Sequence, residues 1–164
     1  MLEIEKRIFG DISKYHGKVK LFWDMDGTCA SMEMHMLQNK TDRGFFYCKR
    51  PIKTIINKME KFQKSGAETY ILSFCGYNYQ KEDKMKWLQK YCKFIAPDNI
   101  IIIPRKENNV KKAESKQTLK AQYLRDYVVD SDIVYMIDDN ESVLLGTKEE
   151  LPFINIVSPI DFIE

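Results

Sequence analysis

Apolar residues along the chain fall into two kinds of run. Some are short and continuous: Val19-Lys20-Leu21-Phe22-Trp23, Thr69-Tyr70-Ile71-Leu72, Ile100-Ile101-Ile102-Ile103, Ile133-Val134-Tyr135-Met136-Ile137 and the stretch from Phe153 to Val157. Their length and their richness in β-branched and aromatic residues predict strands, and an unbroken run such as Ile100 to Ile103 suits a buried strand of a parallel sheet. Between these runs, apolar residues recur at helical spacing. Ile52, Ile55, Ile56, Met59 and Phe62 form one such stripe, Met85, Leu88 and Cys92 a second, and Leu119, Tyr123, Leu124, Tyr127 and Val128 a third. Pro51 is predicted to open the first helix and Ser65-Gly66 to close it. The second helix is predicted over about Gln80 to Lys93, and a short one over Glu141 to Leu145. Arg105 to Ser115 is polar and reads as a loop.

Strands that alternate with helices predict an α/β fold with a Rossmann-like, doubly wound parallel sheet. Ligands of such sheets bind outside the carboxyl ends of the strands. The residues that follow the predicted strands therefore carry the chemical interest: Asp24 and Asp26 after the first, Ser73 after the second, Asp138 and Asp139 after the fourth.

Composition narrows the setting. The 164 residues fit one domain over 1–164, and 44% hydrophobic content supplies a core. No apolar run approaches a membrane span. The segment Met1 to Arg7 mixes both charges and lacks the apolar stretch of a signal peptide, which leads to the expectation of a cytoplasmic protein without a membrane partner. The net charge of +2 is too small to argue for nucleic acid, and the two histidines argue against a histidine-built metal site. Cys29, Cys48, Cys75 and Cys92 show no metal-site spacing and read as reduced thiols.

The residues at the strand ends suit phosphoryl transfer. A phosphate monoester resists attack by an anion, so its hydrolysis calls for a cation, a positioned nucleophile and an acid for the leaving oxygen. Asp24 is the candidate nucleophile, giving a two-step hydrolysis through an aspartyl-phosphate. Asp26 is placed to act as general acid and then as base. Asp138 completes a carboxylate cluster that needs a cation, and Mg2+ suits an oxygen-only site. Ser73 can donate its hydroxyl to a phosphoryl oxygen.

At these residues the sequence resembles the haloacid-dehalogenase (HAD) superfamily. The resemblance runs through Leu21-Phe22-Trp23-Asp24-Met25-Asp26-Gly27-Thr28, then Tyr70-Ile71-Leu72-Ser73, then Tyr135-Met136-Ile137-Asp138-Asp139, and spans Val19 to Asp139. It implies a HAD-like fold and a phosphatase with Mg2+ held by Asp24, by the main-chain carbonyl of Asp26 and by an acid of the Asp138-Asp139 pair. Gly27, Thr28, Ser73, Phe74 and Lys106 are the expected phosphate- and substrate-binding residues. The family also implies a charge-balancing lysine. Lys116, at the start of a predicted helix, matches the common arrangement. Lys106, just past the third strand, is the rival, raised by a narrower resemblance of Lys84 to Tyr91 and Arg105-Lys106 to the 5'(3')-deoxyribonucleotidase family. The extra helix before the fourth strand departs from that family, so both lysines stay open.

Plainer readings stand beside several of these. Asp139 could be a helix N-cap. Trp87 and Tyr91 could be packing residues, and the lysines and arginines between Lys40 and Lys64 a solvated helix face. HAD enzymes often carry a cap, but Cys29 to Arg50 is too short for a domain, and a small lid at 29–50 is expected. Its Met32, Met34, Met36, Phe45, Phe46 and Tyr47 could cover a substrate, form a homodimer contact or pack on the core. The expected partner is a small phosphorylated substrate. A nucleoside monophosphate is favoured because Phe45, Phe46, Tyr47, Phe74 and Tyr77 could stack on a base. The alternatives are a phosphatase of a phosphorylated protein or nucleic-acid end, and a non-catalytic binding module.

Overall fold

The computed structural model describes residues 1–32, 39–106 and 116–163, and for 116–118 the backbone alone. Met34, Met36 and His35 of the expected lid, and 107–115 of the expected loop, lie outside the described residues.

Five strands form one parallel sheet: β1 Val19–Trp23, β2 Glu68–Cys75, β3 Ile100–Pro104, β4 Ile133–Ile137 and β5 Asn155–Val157, in the order β3-β2-β1-β4-β5. Five helices are α1 Glu3–Lys14, α2 Lys53–Lys64, α3 Asn78–Tyr91, α4 Lys116–Leu124 and α5 Glu141–Glu150. The doubly wound α/β architecture expected from the alternating pattern is therefore present.

Strand pleating sends successive side chains to opposite faces, and each face has its own helices. Leu21, Trp23, Ile71, Tyr135 and Ile137 pack with Ile8 and Ile12 of α1, Ile55, Met59 and Phe62 of α2, and Trp87 and Leu88 of α3. Phe22, Tyr70, Leu72, Ile101, Ile103, Val134 and Met136 pack with Ala121 and Leu124 of α4 and Leu144 of α5. Each large apolar side chain buried this way contributes about 1.5–3 kcal/mol.

Several boundaries differ from the sequence expectation, for local reasons. Pro51 does not open α2. It forms an isolated antiparallel bridge with Ala30, and the helix starts at Lys53. β2 does not stop at Ser73 but continues to Cys75, because β3 keeps pairing with it: Phe74 lies opposite Ile103 and Cys75 opposite Pro104. α3 starts earlier, with the Gln80 side chain accepting from the Gly76 and Tyr77 amides at its N-terminus. α5 runs on to Glu150, and β5 starts only at Asn155. α1 was not expected at all, although Ile4, Ile8 and Ile12 repeat every four residues.

Chain order places the site. From β1 the sheet grows one way through β2 and β3 and the other way through β4 and β5. The carboxyl ends of β1 and β4 therefore flank the switch point where such sheets bind ligands.

Candidate active site

Asp24 and Asp138 each follow directly on one of these two central strands. The β1–β4 ladder extends past the strand end, with the Asp24 amide donating to the Ile137 carbonyl at 2.8 Å. This fixes the two carboxylates side by side, and both are buried. Asp138 Oδ1 accepts from the Asn140 amide at 2.9 Å.

Between the two acids stands Lys120 of α4. Its Nζ donates to Asp24 Oδ1 at 2.5 Å and to Asp138 Oδ2 at 2.6 Å. Burial would lower the Lys120 ammonium, but the two carboxylates outweigh it and raise it above its ordinary value. The position expected of Lys116 or Lys106 is thus held by Lys120. Lys116 lies one helical turn earlier, and only its backbone is described. Lys106 is exposed at the rim, where its Nζ donates to the Tyr77 hydroxyl at 2.9 Å. The signal that could have found Lys120 is its place four residues after Lys116, on the same helix face.

Asp139 is not the N-cap of α5. Asn140 takes that place, its side chain accepting from the Val143 amide. Asp139 instead turns back over the first loop, against Gly27. Gly27 has φ +85, and a β-carbon there would collide with the Asp139 carboxylate. Glycine is required twice over, for the left-handed turn and for this approach. Thr28 is fully buried and does not line the cavity described below.

Asp24, Asp138 and Asp139 each offer a carboxylate oxygen within 4.8 Å of the others. Three carboxylates face one ammonium. Burial pushes Asp24 up to about 6, aided by repulsion from Asp138 and opposed by Lys120. Burial and Asp138 likewise raise Asp139. An oxygen-only cluster with surplus negative charge fits a hard divalent cation such as Mg2+, and these three residues would hold it.

Asp26 has the opposite surroundings. Lys84 of α3, fully buried, donates to its Oδ2, and Lys49 makes an ion pair with Oδ1 at 2.7 Å. Burial would raise the Asp26 carboxyl, but Lys84 and Lys49 outweigh it and hold it below its ordinary value. In the free protein Asp26 is therefore a carboxylate, ready as a base. Service as an acid requires an incoming phosphate to draw these lysines away. From sequence, Lys49 reads as part of a solvated face, and Lys84 only as the start of the stretch to Tyr91 that carries the narrower family resemblance; neither was given a place in the site.

Lys84 Nζ also donates to the Phe74 carbonyl at 2.8 Å and to Ser73 Oγ at 2.9 Å. An ammonium can only donate. The Ser73 oxygen therefore acts as acceptor there, and its single proton is left to be donated elsewhere. This is the polarity a serine needs to bind a phosphoryl oxygen.

The segment expected as a lid is a fixed wall where it is described. The Gly44 amide donates to Asp83 Oδ2 at 2.5 Å, the Tyr79 hydroxyl to the Thr41 carbonyl at 2.7 Å, and Trp87 Nε1 to the Lys49 carbonyl at 2.8 Å. Phe45 and Phe46 are buried edge to face against each other. Trp87 is fully buried against Tyr91, a packing residue and not a stacking platform.

These groups open into one cavity of about 1010 Å³. Asp24, Asp26, Ser73, Lys120, Asp138 and Asp139 line one end of it. Of the aromatic residues expected near a base, Phe46, Phe74 and Tyr77 line it, while Phe45 and Tyr47 do not. No described helix is long and apolar enough to cross a membrane.

No protein-family model matches the sequence, and no curated protein matches it. Solved structures do share the fold. A chain of the Pnkp1/Rnl/Hen1 complex superposes with a TM-score of 0.66 and 13% identity, covering 86% of this chain and 45% of its own. A chain of the Pnkp1/Rnl/Hen1 RNA repair complex superposes with a TM-score of 0.64 and 16% identity, covering 86% of this chain and 42% of its own. The protein thus spans less than half the length of these chains, and at such identity the likeness is one of fold.

Proposed function

We propose that the protein is a magnesium-dependent phosphomonoester hydrolase of the HAD type, with Asp24 as nucleophile. The observation that carries the reading is the convergence of Asp24, Asp138 and Asp139 around Lys120, beside a serine whose proton is free to donate. Lys120 engages Asp24 Oδ1, which leaves Oδ2 as the oxygen to attack phosphorus. Asp26 takes up a proton as the phosphate binds and draws Lys84 and Lys49 from it, that proton coming from the monoanionic phosphate or from water. Attack then forms the aspartyl-phosphate and expels the leaving oxygen, which takes the proton from Asp26. Asp26, again a carboxylate, then removes a proton from the water that cleaves the acyl-phosphate. Ser73, Lys120 and Lys84 offer donors and positive charge to the phosphoryl oxygens. Mg2+ on Asp24, Asp138 and Asp139 would supply further neutralisation of the phosphoryl charge.

The substrate is proposed to be a nucleotide-type phosphomonoester. Phe74 and Tyr77 on the cavity wall support a nucleoside monophosphate. The breadth of the cavity, with Lys40, Arg105 and Lys106 also in its lining, supports the second reading, a phosphorylated nucleic-acid end. The fold shared with chains of an RNA repair complex is compatible with that second reading.

The test is release of phosphate from a generic aryl phosphate. Activity is expected with Mg2+, lost on chelation by EDTA and restored by added Mg2+. Asp24→Asn is expected to fold and to lose turnover by at least about 10³-fold, since an amide cannot form the phosphoenzyme. Near-normal turnover by folded Asp24→Asn protein, or full activity after exhaustive chelation, rejects the mechanism.

A further inference from the structure

The cavity continues well past the reacting groups. Beyond Ser73, β2 runs on through Phe74 and Cys75, and β3 pairs with it to the end. The Arg105 amide donates to the Cys75 carbonyl and the Lys106 amide to the Gly76 carbonyl, each at 2.9 Å. Ser73 lies opposite Ile102, so at about 3.3 Å per residue Arg105 and Lys106 stand roughly 10–13 Å beyond Ser73 along the strand direction. Both side chains line the cavity that also holds Asp24.

Neither cation has a carboxylate partner among the described residues. The Arg105 guanidinium lies over the Phe74 ring, 5.9 Å from its centroid. Its Nε is buried with no hydrogen-bond partner among the described residues. The Lys106 ammonium donates to the Tyr77 hydroxyl, with its Nζ 4.6 Å from the ring centroid. Lys40 lines the same cavity and is also without a carboxylate partner among the described residues. The transferred phosphoryl group already has Ser73, Lys84 and Lys120, so these further cations are surplus to its needs. An unpaired guanidinium nitrogen out of water is costly, and an anion relieves that cost. A guanidinium matches two oxygens of one phosphate, and a lysine adds a point charge. Tyr77, stacked on Tyr79 at 5.5 Å with the rings 13° apart, adds an aromatic surface at the same end. The cavity volume stands at the upper limit of small-molecule pockets, which run from about 300 to 1,000 Å³.

We propose that Arg105 and Lys106, with Lys40, form a subsite for the phosphodiester next to the terminal phosphate, so that the substrate is an end-phosphorylated single strand of nucleic acid. This rests on the phosphomonoesterase reading and adds the strand to it. A free mononucleotide carries no phosphodiester to offer these cations.

The test compares an oligonucleotide of about four residues, phosphorylated at its 5' end in one arm and its 3' end in another, with the matching mononucleotides. For one of the two ends, kcat/KM is expected to favour the oligonucleotide at least tenfold. Each phosphate neutralised on a single strand steepens the dependence of log kcat/KM on log salt by about 0.7. The oligonucleotide slope should therefore exceed the mononucleotide slope by about that much or more. In Arg105→Gln with Lys106→Gln, the oligonucleotide-to-mononucleotide ratio should fall at least tenfold. If that pair of changes prevents folding, the two slopes of the native protein decide. Equal efficiencies with equal slopes, an unchanged ratio in the variant, or a phosphopeptide preferred over both oligonucleotides would overturn the proposal. Equilibrium binding of the phosphorylated oligonucleotides to metal-free Asp24→Asn protein, by fluorescence anisotropy, reads the subsite without turnover. Tighter binding than to the mononucleotide upholds the subsite even if the hydrolase reading fails, and equal binding overturns it even if that reading stands.

Discussion

Asp24 and Asp26 are two residues apart on one loop, yet they sit in clusters of opposite balance. Around Asp24, three carboxylates share the single ammonium of Lys120. Around Asp26, one carboxylate is shared by the two ammoniums of Lys84 and Lys49. The first cluster raises its acid and calls for a cation; the second depresses its acid and calls for an anion. A metal-assisted phosphoryl transfer needs both within a few ångströms, and the loop Asp24-Met25-Asp26 places one carboxylate in each. Neighbours, and not residue type, give the two aspartates their separate environments, which the proposed acid–base and nucleophilic roles would use.

The largest disturbance of this contrast should come from Lys120→Met. It removes the Lys120 ammonium from the acid-rich cluster, and with it the donors aimed at Asp24 and Asp138. Turnover is expected to fall about 10²- to 10³-fold, the range typical of losing one preorganised charge or donor. The variant should also become more dependent on Mg2+ for its stability, read as a larger Mg2+-induced rise in Tm than in the native protein. A smaller or equal rise would argue that the cluster does not hold the metal.

Lys84→Met acts on the other cluster. It keeps the volume of the buried side chain while removing its charge and its bond to Ser73. Turnover is expected to fall roughly 10- to 100-fold through lost orientation of Ser73 and Asp26. Inhibition by inorganic phosphate should weaken about tenfold, a change that isothermal titration can read. Breaking the buried pair with Asp26 should cost about 3 kcal/mol of stability. If phosphate binds the folded variant as well as the native protein, the lysine-rich cluster is not the anion site.

The smallest effect is one of pH. Asp24 is raised from an ordinary value of 3.8 to about 6, so the folded, metal-free protein holds this proton more tightly than the unfolded chain. Its contribution to stability is fully present below about pH 4 and is lost as pH rises through about 6. Metal binding needs the ionised carboxylate and therefore strengthens over the same window. The Mg2+-induced rise in Tm should be a few degrees larger at pH 7.5 than at pH 5. A rise independent of pH would separate Asp24 from the metal.

How far this was legible from sequence depended on what each residue's environment reveals locally. β1 and β4 were bounded correctly because central strands are apolar on both faces and end abruptly at Asp24 and Asp138. Asp24, Asp26, Ser73, Asp138 and Asp139 were expected to converge because strand ends of a parallel sheet do, and they line one cavity. The lysines were harder. Lys120, Lys84 and Lys49 are buried, but nothing in a helical or loop lysine's immediate sequence distinguishes a buried ammonium from a solvated one. Only the partners do, and Asp138 and Asp26 lie 18 and 58 residues from theirs. Lys116 was favoured because the family resemblance expects a lysine at the start of a helix, and that placement does not tell which turn of α4 reaches the sheet edge, where Lys120 stands. Ser73 looked like a strand end because the apolar run stops there, while pairing with β3 carries the strand further.

A single stretch of α3 ties three parts of the molecule in register. Asp83 holds the loop at Gly44, Lys84 holds Asp26 and Ser73, and Trp87 holds the carbonyl of Lys49. Adding or removing one residue ahead of Asp83 would swing all three side chains by about 100° together, since a helix turns once in about 3.6 residues. No compensating change of one side chain restores three directions at once. Length variation between β2 and Asp83 should thus be tolerated only in steps that return the same face, near one full turn.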